Sequence, residues 1–256
     1  MARLLHFTDM HLRINQPGTA SDPLRLSRSM PGALDRLAER IKEFTPDVLV
    51  MSGDLLDVPD AVMVGGTPDD RSHEEWVENA KADFQLVRNW FDATGVPYVV
   101  VPGNHDHEGA FAEIFSPPPE PRDIAGLRFF CFWDELADDK QPLRTGARKE
   151  QFEDALINPD HDCPQIHVQH YMIDPLTIGK GKRYDYKTAD PMKDALKKSD
   201  RVRSVLSGHY HPGSMLMTDG VIHSLPPAFC EAPHAFRIYD LAEDGSNTIT
   251  DHALDT

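Results

Sequence analysis

Five short polar blocks, each set directly after an apolar run that reads as a β-strand, constrain this chain more than any other feature. They are Asp9-Met10-His11, Gly53-Asp54, Gly103-Asn104-His105-Asp106, His170 and Gly208-His209-Tyr210-His211. In an open α/β sheet the carboxyl ends of the strands line one crevice, and ligands bind there. A fold that gathers these five strand ends would bring together two Asp, one Asn and four His, with His105 and Asp106 beside them. That donor set is large enough for two metal ions.

The strands and helices around the blocks follow from apolar spacing. Leu4 to Thr8 reads as the first strand, and a polar loop over 14–30 follows it. Leu34, Leu37, Ile41 and Phe44 give a helix over about 32–44, which Pro46 ends. The run from Asp47 to Ser52 is nearly all apolar, as in a parallel strand buried on both faces. Residues 58–73 read as a loop, 74–93 as a helix with a Trp76-Phe84-Phe91 core stripe, and Pro97 to Val101 as a third strand. Further on, 116–122 reads as a proline-stiffened connector, Leu127 to Trp133 as a strand, 147–157 as a helix and Ile166 to Gln169 as a strand. A long loop over 171–190, a helix near 191–199 and a strand from Val202 to Ser207 lead to the last block. The β-α-β-α-β start predicts parallel strands with helical crossovers. The β-rich tail, with strands at Val221–Leu225 and Ala235–Leu241, predicts a second sheet packed on the first. Blocks running from residue 9 to residue 211 leave no place to split the chain, so a single domain over 1–256 is expected, with loop insertions near 58–73 and 171–190.

The net charge of −16 argues against nucleic-acid phosphates and anionic membranes as partners. It does not exclude a small anion, because two bound cations would reverse the sign locally. Cys131, Cys163 and Cys230 form no CxxC pair and read as reduced, buried thiols. The N-terminal MARLLHFTD reads as a strand rather than a signal peptide, so the cytoplasm is the expected location.

Asp9 and His11 at i and i+2 of an extended chain would share a face and could bind one ion together. Asp54 could bridge two ions through its two oxygens, with Gly53 allowing close backbone approach. Asn104 adds an oxygen, and His170, His209 and His211 add nitrogens. Imidazole with carboxylate suits manganese, zinc or iron. Two such ions would make hydroxide from a bridging water and clamp a phosphoryl group, while His105 protonates a leaving group and a carboxylate orients it. Asp57 could hydrogen-bond a ligand histidine, and His107 could line the mouth of the site. Lys180, Lys182, Arg183, Tyr184 and Tyr186 read as a solvated loop, with phosphate gripping or base stacking as the alternative.

The five blocks, in this order, resemble the calcineurin-like metallophosphoesterase family over roughly residues 4–211. The resemblance implies an α/β fold, a four-layer α/β/β/α sandwich of two mixed sheets flanked by helices. It implies Asp9, His11, Asp54 and His211 on a first metal ion, and Asp54, Asn104, His170 and His209 on a second. His105 would be the general acid and Asp106 its partner. Asp9-Met10-His11-Leu12 and Gly53-Asp54-Leu55-Leu56-Asp57 look more like the bacterial phosphodiesterase branch than the protein phosphatases. That branch often carries His-His-Pro-Pro where this chain has Gln169-His170-Tyr171-Met172. A small-molecule phosphodiester is therefore the first substrate expectation and a phosphomonoester the second. A nuclease and a non-catalytic scaffold are the rival classes. Relatives are often dimers, which makes a homodimer the implied assembly.

Overall fold

The computed structural model describes residues 1–116, 120–176, 184–242 and 245–255. Its elements in chain order are β1 (Ala2–Phe7), α1 (Met30–Phe44), β2 (Val48–Met51), α2 (Asp60–Met63), α3 (His73–Thr94), β3 (Tyr98–Val100), α4 (Glu108–Phe115), β4 (Arg122–Ile124), β5 (Leu127–Cys131), β6 (Glu135–Leu136), β7 (Pro142–Leu143), α5 (Gly146–Ile157), β8 (Gln165–Val168), α6 (Ala189–Lys198), β9 (Val202–Leu206), β10 (Ser214–Thr218), β11 (Val221–Leu225), β12 (Ala235–Leu241) and β13 (Asn247–Ala253).

The helices form where the sequence supplies both a buried stripe and an end. α1 starts with Pro31 in its first turn, buries Leu34, Leu37 and Ile41, and stops at Thr45 before Pro46. α3 opens with a reciprocal capping box between Ser72 and Glu75 and closes at Gly95, whose φ of 68° needs no Cβ clearance. Trp76, Phe84 and Phe91 on its inner face are buried.

Apart from the small β6-β7 pair, the strands divide into two sheets. The first runs β13-β12-β1-β2-β3, with β1, β2 and β3 parallel and the C-terminal pair antiparallel. The second runs β10-β11-β9-β8-β5-β4, with parallel inner strands and antiparallel edges. The second sheet takes only part of the β-rich tail: β11 (Val221–Leu225) lies in it, as expected, with β10. It is built mainly from the middle of the chain, and β12 and β13 return to the first sheet beside β1. Periodicity describes single strands and carries nothing about which edge a late strand will join, so sequence alone could not place them.

β5 shows how the layers stack. Leu127, Phe129 and Cys131 face the main core, which also takes in α1, α3 and the first sheet. Phe130, and Phe132 just beyond the strand, face a second core with Phe152 of α5 and Met192 and Leu196 of α6. Alternate residues of one strand thus serve two cores, and the order is helices, sheet, sheet, helices.

Several local expectations shift. The predicted loop over 58–73 contains the short helix α2, and α4 begins directly after the third block, where His107 Nδ1 caps it by accepting from the Ala110 amide at 3.2 Å. Tyr186 is not a solvent-facing loop residue: it is buried in the second core, and its hydroxyl donates to Asp134 at 2.6 Å. Pro117–Pro119 of the proline connector, with Lys180, Lys182 and Arg183, lie outside the described residues. No helix among the described residues is long and apolar enough to cross a membrane.

Two histidines belong to the interior rather than the site. His6 packs between Ser52 Oγ (2.7 Å) and the Tyr239 hydroxyl (3.2 Å), and His167 sits among Phe130, Phe132 and Phe152. Burial pushes both down to about 3. The unfolded chain takes up protons at each below its ordinary value while the folded chain does not, so stability is full above about pH 6.5 and falls as pH drops toward 3. Thermal melts from pH 7 to pH 4 should show this decline, and His167→Leu should make its slope shallower. An equal slope in the variant would assign the acid sensitivity elsewhere.

Candidate metal centre

The five blocks leave their strands toward one another, and backbone bonds tie them. The Asp9 amide donates to the Gly53 carbonyl (3.1 Å), and the Gly208 amide donates to the His170 carbonyl (2.9 Å). The two sheets are joined directly at the site: Ser52 Oγ donates to the Ser207 carbonyl at 2.7 Å, and the His209 amide donates to both Asp9 oxygens at 3.0–3.1 Å. Three blocks thus come from the first sheet and two from the second.

Close approach is possible because the blocks carry glycine where another block intrudes. A Cβ on Gly208 would overlap Thr8 Oγ1 and lie 2.8 Å from the Ser52 carbonyl oxygen. A Cβ on Gly53 would overlap the His170 ring. Asp9, His11, Asp54 and His209 all hold left-handed backbone, with φ of 52°, 48°, 52° and 70°. Asp9 and His11 therefore do not meet by strand alternation. The chain has already kinked, and the kink aims both side chains at one point.

Around that point the lone pairs converge. His11 Nε2 lies 3.3 Å from His211 Nε2, 3.6 Å from Asp54 Oδ2 and 4.0 Å from Asp9 Oδ1. On the other side, His170 Nε2 lies 3.4 Å from Asp54 Oδ2 and 3.3 Å from Asn104 Oδ1. His209 completes a trio with Asp54 and His170, their ligand atoms all within 4.8 Å of one another. Asp54 therefore stands between two groups of donors. Its Oδ1 accepts from the His105 amide at 2.8 Å, and its Oδ2 lies close to both His11 and His170.

The surrounding hydrogen bonds fix which way each ring presents its lone pair. His170 Nδ1 donates to the Ser52 carbonyl at 2.8 Å, and His211 Nδ1 donates to Glu231 at 2.5 Å. Each Nε2 is left to face inward, the arrangement by which outer partners orient metal-binding histidines. Acceptors this close repel unless a cation lies among them. Without a metal, protons supply the charge. Burial disfavours a charged His170, yet Asp54 and Asp9 raise it to about 9. Burial likewise opposes the Asp54 carboxylate, but His170 and His105 hold it well below the usual range. The residues present fit divalent ions, which would replace that proton.

The calcineurin-like phosphoesterase model matches residues 2–213. The chain belongs to that family. Membership implies metal-dependent phosphoester hydrolysis and divalent metal ions, typically two. A probable cyclic nucleotide phosphodiesterase of a Synechococcus strain is 27% identical over 99% of this chain and 92% of its own length. Among solved structures, a dimetal phosphatase from Danio rerio aligns with a TM-score of 0.70 at 14% identity, covering 99% of this chain and 96% of that one. The protein TT1561 of Thermus thermophilus aligns with a TM-score of 0.62 at 14% identity, covering 99% of each. These two likenesses bear on the fold.

Within this phosphoesterase the structure departs from one expected pairing. Asp106 is not bonded to the His105 ring. It is buried and accepts from the amides of Leu55 (3.0 Å), Leu56 (2.8 Å) and Gly103 (2.9 Å), clamping the second block to the third. Adjacent residues in a tight turn point different ways, and Asp106 points into the loop. Asp57 stands nearer the histidines, with Oδ1 3.8 Å from His105 Nδ1 and 3.6 Å from His11 Nδ1. Sequence reading did not single out Glu231, Arg25 or Cys230 for the site. Cys230 places its thiol within 4.8 Å of ring nitrogens of His11 and His211, and Tyr184 packs its ring 4.2 Å from His209. None of these lies in a strand-end block, so spacing offered no signal.

Asp106→Ala would strand three buried amides, each worth about 1–3 kcal/mol when unmet. It should therefore lower unfolding free energy by several kcal/mol and reduce metal content with it, read by calorimetry and elemental analysis. Unchanged stability with slowed turnover would return Asp106 to a catalytic role.

Proposed function

We propose that the chain hydrolyses a small phosphodiester, with Asp9, His11, Asp54 and His211 holding one ion and Asp54, Asn104, His170 and His209 the other. The observation that carries this reading is the shared Asp54 Oδ2, 3.6 Å from His11 and 3.4 Å from His170, which suits two ions side by side. Manganese, zinc and iron are the ions that this carboxylate and imidazole set favours. When bound, the pair supplies Lewis acidity that activates a water and offsets phosphoryl charge.

The protein's own groups do the rest. Asn104 and His209 line a cavity of about 350 Å³ over the centre, together with His105. His105 Nε2 is the atom placed to give a proton to the departing oxygen. Burial, with His11 and Arg25 nearby, lowers the affinity of this ring for a proton. The negative charge of a bound phosphoester works in the opposite direction and favours the charged ring. A second hollow of about 430 Å³ shares Asn104 and is lined by His107, Trp133 and Tyr171. Space on both sides of Asn104 suits a phosphate carrying two ester groups, and the Synechococcus relative is named for a diester substrate.

Metal-stripped protein reloaded with manganese, zinc or iron should cleave a bis-nitrophenyl phosphodiester faster than the matching monoester. Monoester preference would move the chain to the phosphatases, and no turnover with any metal would favour a scaffold. Asp54→Ala should lose both ions and nearly all turnover. His105→Ala should retain the ions but slow hydrolysis by about a hundredfold or more, most for unactivated leaving groups. Equal slowing for activated and unactivated esters would remove His105 as the acid.

A further inference from the structure

We propose that Arg25 is the residue that grips the phosphate of the substrate, an assignment that rests on the phosphoester reading above. Arg25 lies on the loop between β1 and α1, outside all five blocks. Its Nη1 donates to Asp57 Oδ1 at 3.0 Å and comes within 3.4 Å of His105 Nε2. It lines the cavity over the metal centre with Asp22, Asp54, Asn104, His209 and Glu231. Among the described lining residues, Arg25 alone carries a permanent positive charge.

The fork is held in place but only partly used. Its side chain is 17% exposed, and its Nε is buried without a hydrogen-bond partner among the described residues. Asp57 has a second guanidinium, Arg13, at 3.3 Å, so it does not depend on Arg25 for neutralisation. The loop itself is anchored. The Leu26 amide next to Arg25 donates to the Cys230 carbonyl at 2.9 Å, and buried Asp83 accepts from the amides of Ile14, Asn15 and Gln16. With Nη1 on Asp57 and Nε buried, the guanidinium offers a phosphate its charge and its remaining Nη N–H groups. Its place beside His105 puts that phosphate where His105 could reach the leaving oxygen. An exposed lysine on a loose loop would offer neither the geometry nor the register.

The test uses the manganese-loaded full chain as wild type, Arg25→Ala and Arg25→Lys. Metal content, calorimetric binding of inorganic phosphate and kinetics on the bis-nitrophenyl diester are read for each. A phosphate clamp predicts full metal content in Arg25→Ala, with phosphate affinity weaker by about ten- to a hundredfold. KM should rise in parallel, and added guanidinium should restore part of the loss. Arg25→Lys should keep the charge and the metals yet lose much of the phosphate affinity, because the fork is gone. Unchanged phosphate affinity in both variants overturns the assignment, as does a wild type that binds no phosphate. Loss of metal from both variants would make Arg25 a support for Asp57 and also overturn it. Arg25-dependent phosphate binding in a wild type that hydrolyses nothing would leave the clamp standing and refute the proposed function.

Discussion

Mutual repulsion among inward-facing lone pairs is the constraint on which this structure turns. Asp9, Asp54, Asn104, His11, His170, His209 and His211 present acceptors within a few ångströms of one another. Each would be better solvated apart. They stay together because their outward atoms are fastened: His170 to Ser52, His211 to Glu231, Asp9 to Thr8 and the His209 amide, Asp54 to the His105 amide. The backbone contributes too. Four of the seven residues sit in left-handed conformations that cost non-glycine residues on the order of 1 kcal/mol or more. Such a shell is a preformed cage for positive charge, and the stability of the two packed cores offsets the cost of keeping it.

Much of this was legible in the chain. Each block stands at a strand end, so the strand runs already pointed the ligand candidates at a common crevice. Apolar spacing placed α1, α3 and the inner strands close to where they form. What spacing does not carry is the partner of a side chain. Asp106 follows His105 in sequence and so invites a pairing with it, but in a tight turn neighbours diverge and Asp106 meets three amides instead. Asp57, three positions past Asp54, does stand beside a histidine as its position suggested, 3.6 Å from His11 Nδ1. Glu231 is twenty residues past His211 and meets it only because β10 and β11 fold back between them. The sheet that β12 joins was likewise hidden: a late, nearly all-buried strand fits either sheet equally well.

The site also shows why fold and specificity separate. The cage uses residues fixed to strand ends and clamped by buried bonds. The surfaces over it come from connecting segments: the loop bearing Arg25, the turn bearing Glu231 and the stretch around Tyr184. Connections can change without disturbing the layers beneath. The same centre can accordingly sit under very different mouths, and among the described residues the mouth here combines Arg25 with Asp22 and Glu231.

The return of β12 to pair with β1 has a consequence for biogenesis. The first strand of the chain acquires one of its two neighbours only when residues 235–241 arrive, and its cage is completed by His209 and His211. During synthesis from the N-terminus, the earliest of the proposed ligands, Asp9 and His11, therefore emerge long before the partners that enclose them. No pair of early blocks makes a finished site. On the ligand set proposed above, neither ion has its full complement of ligands until residues 170 and 209–211 are in place, so the completed centre forms late in folding.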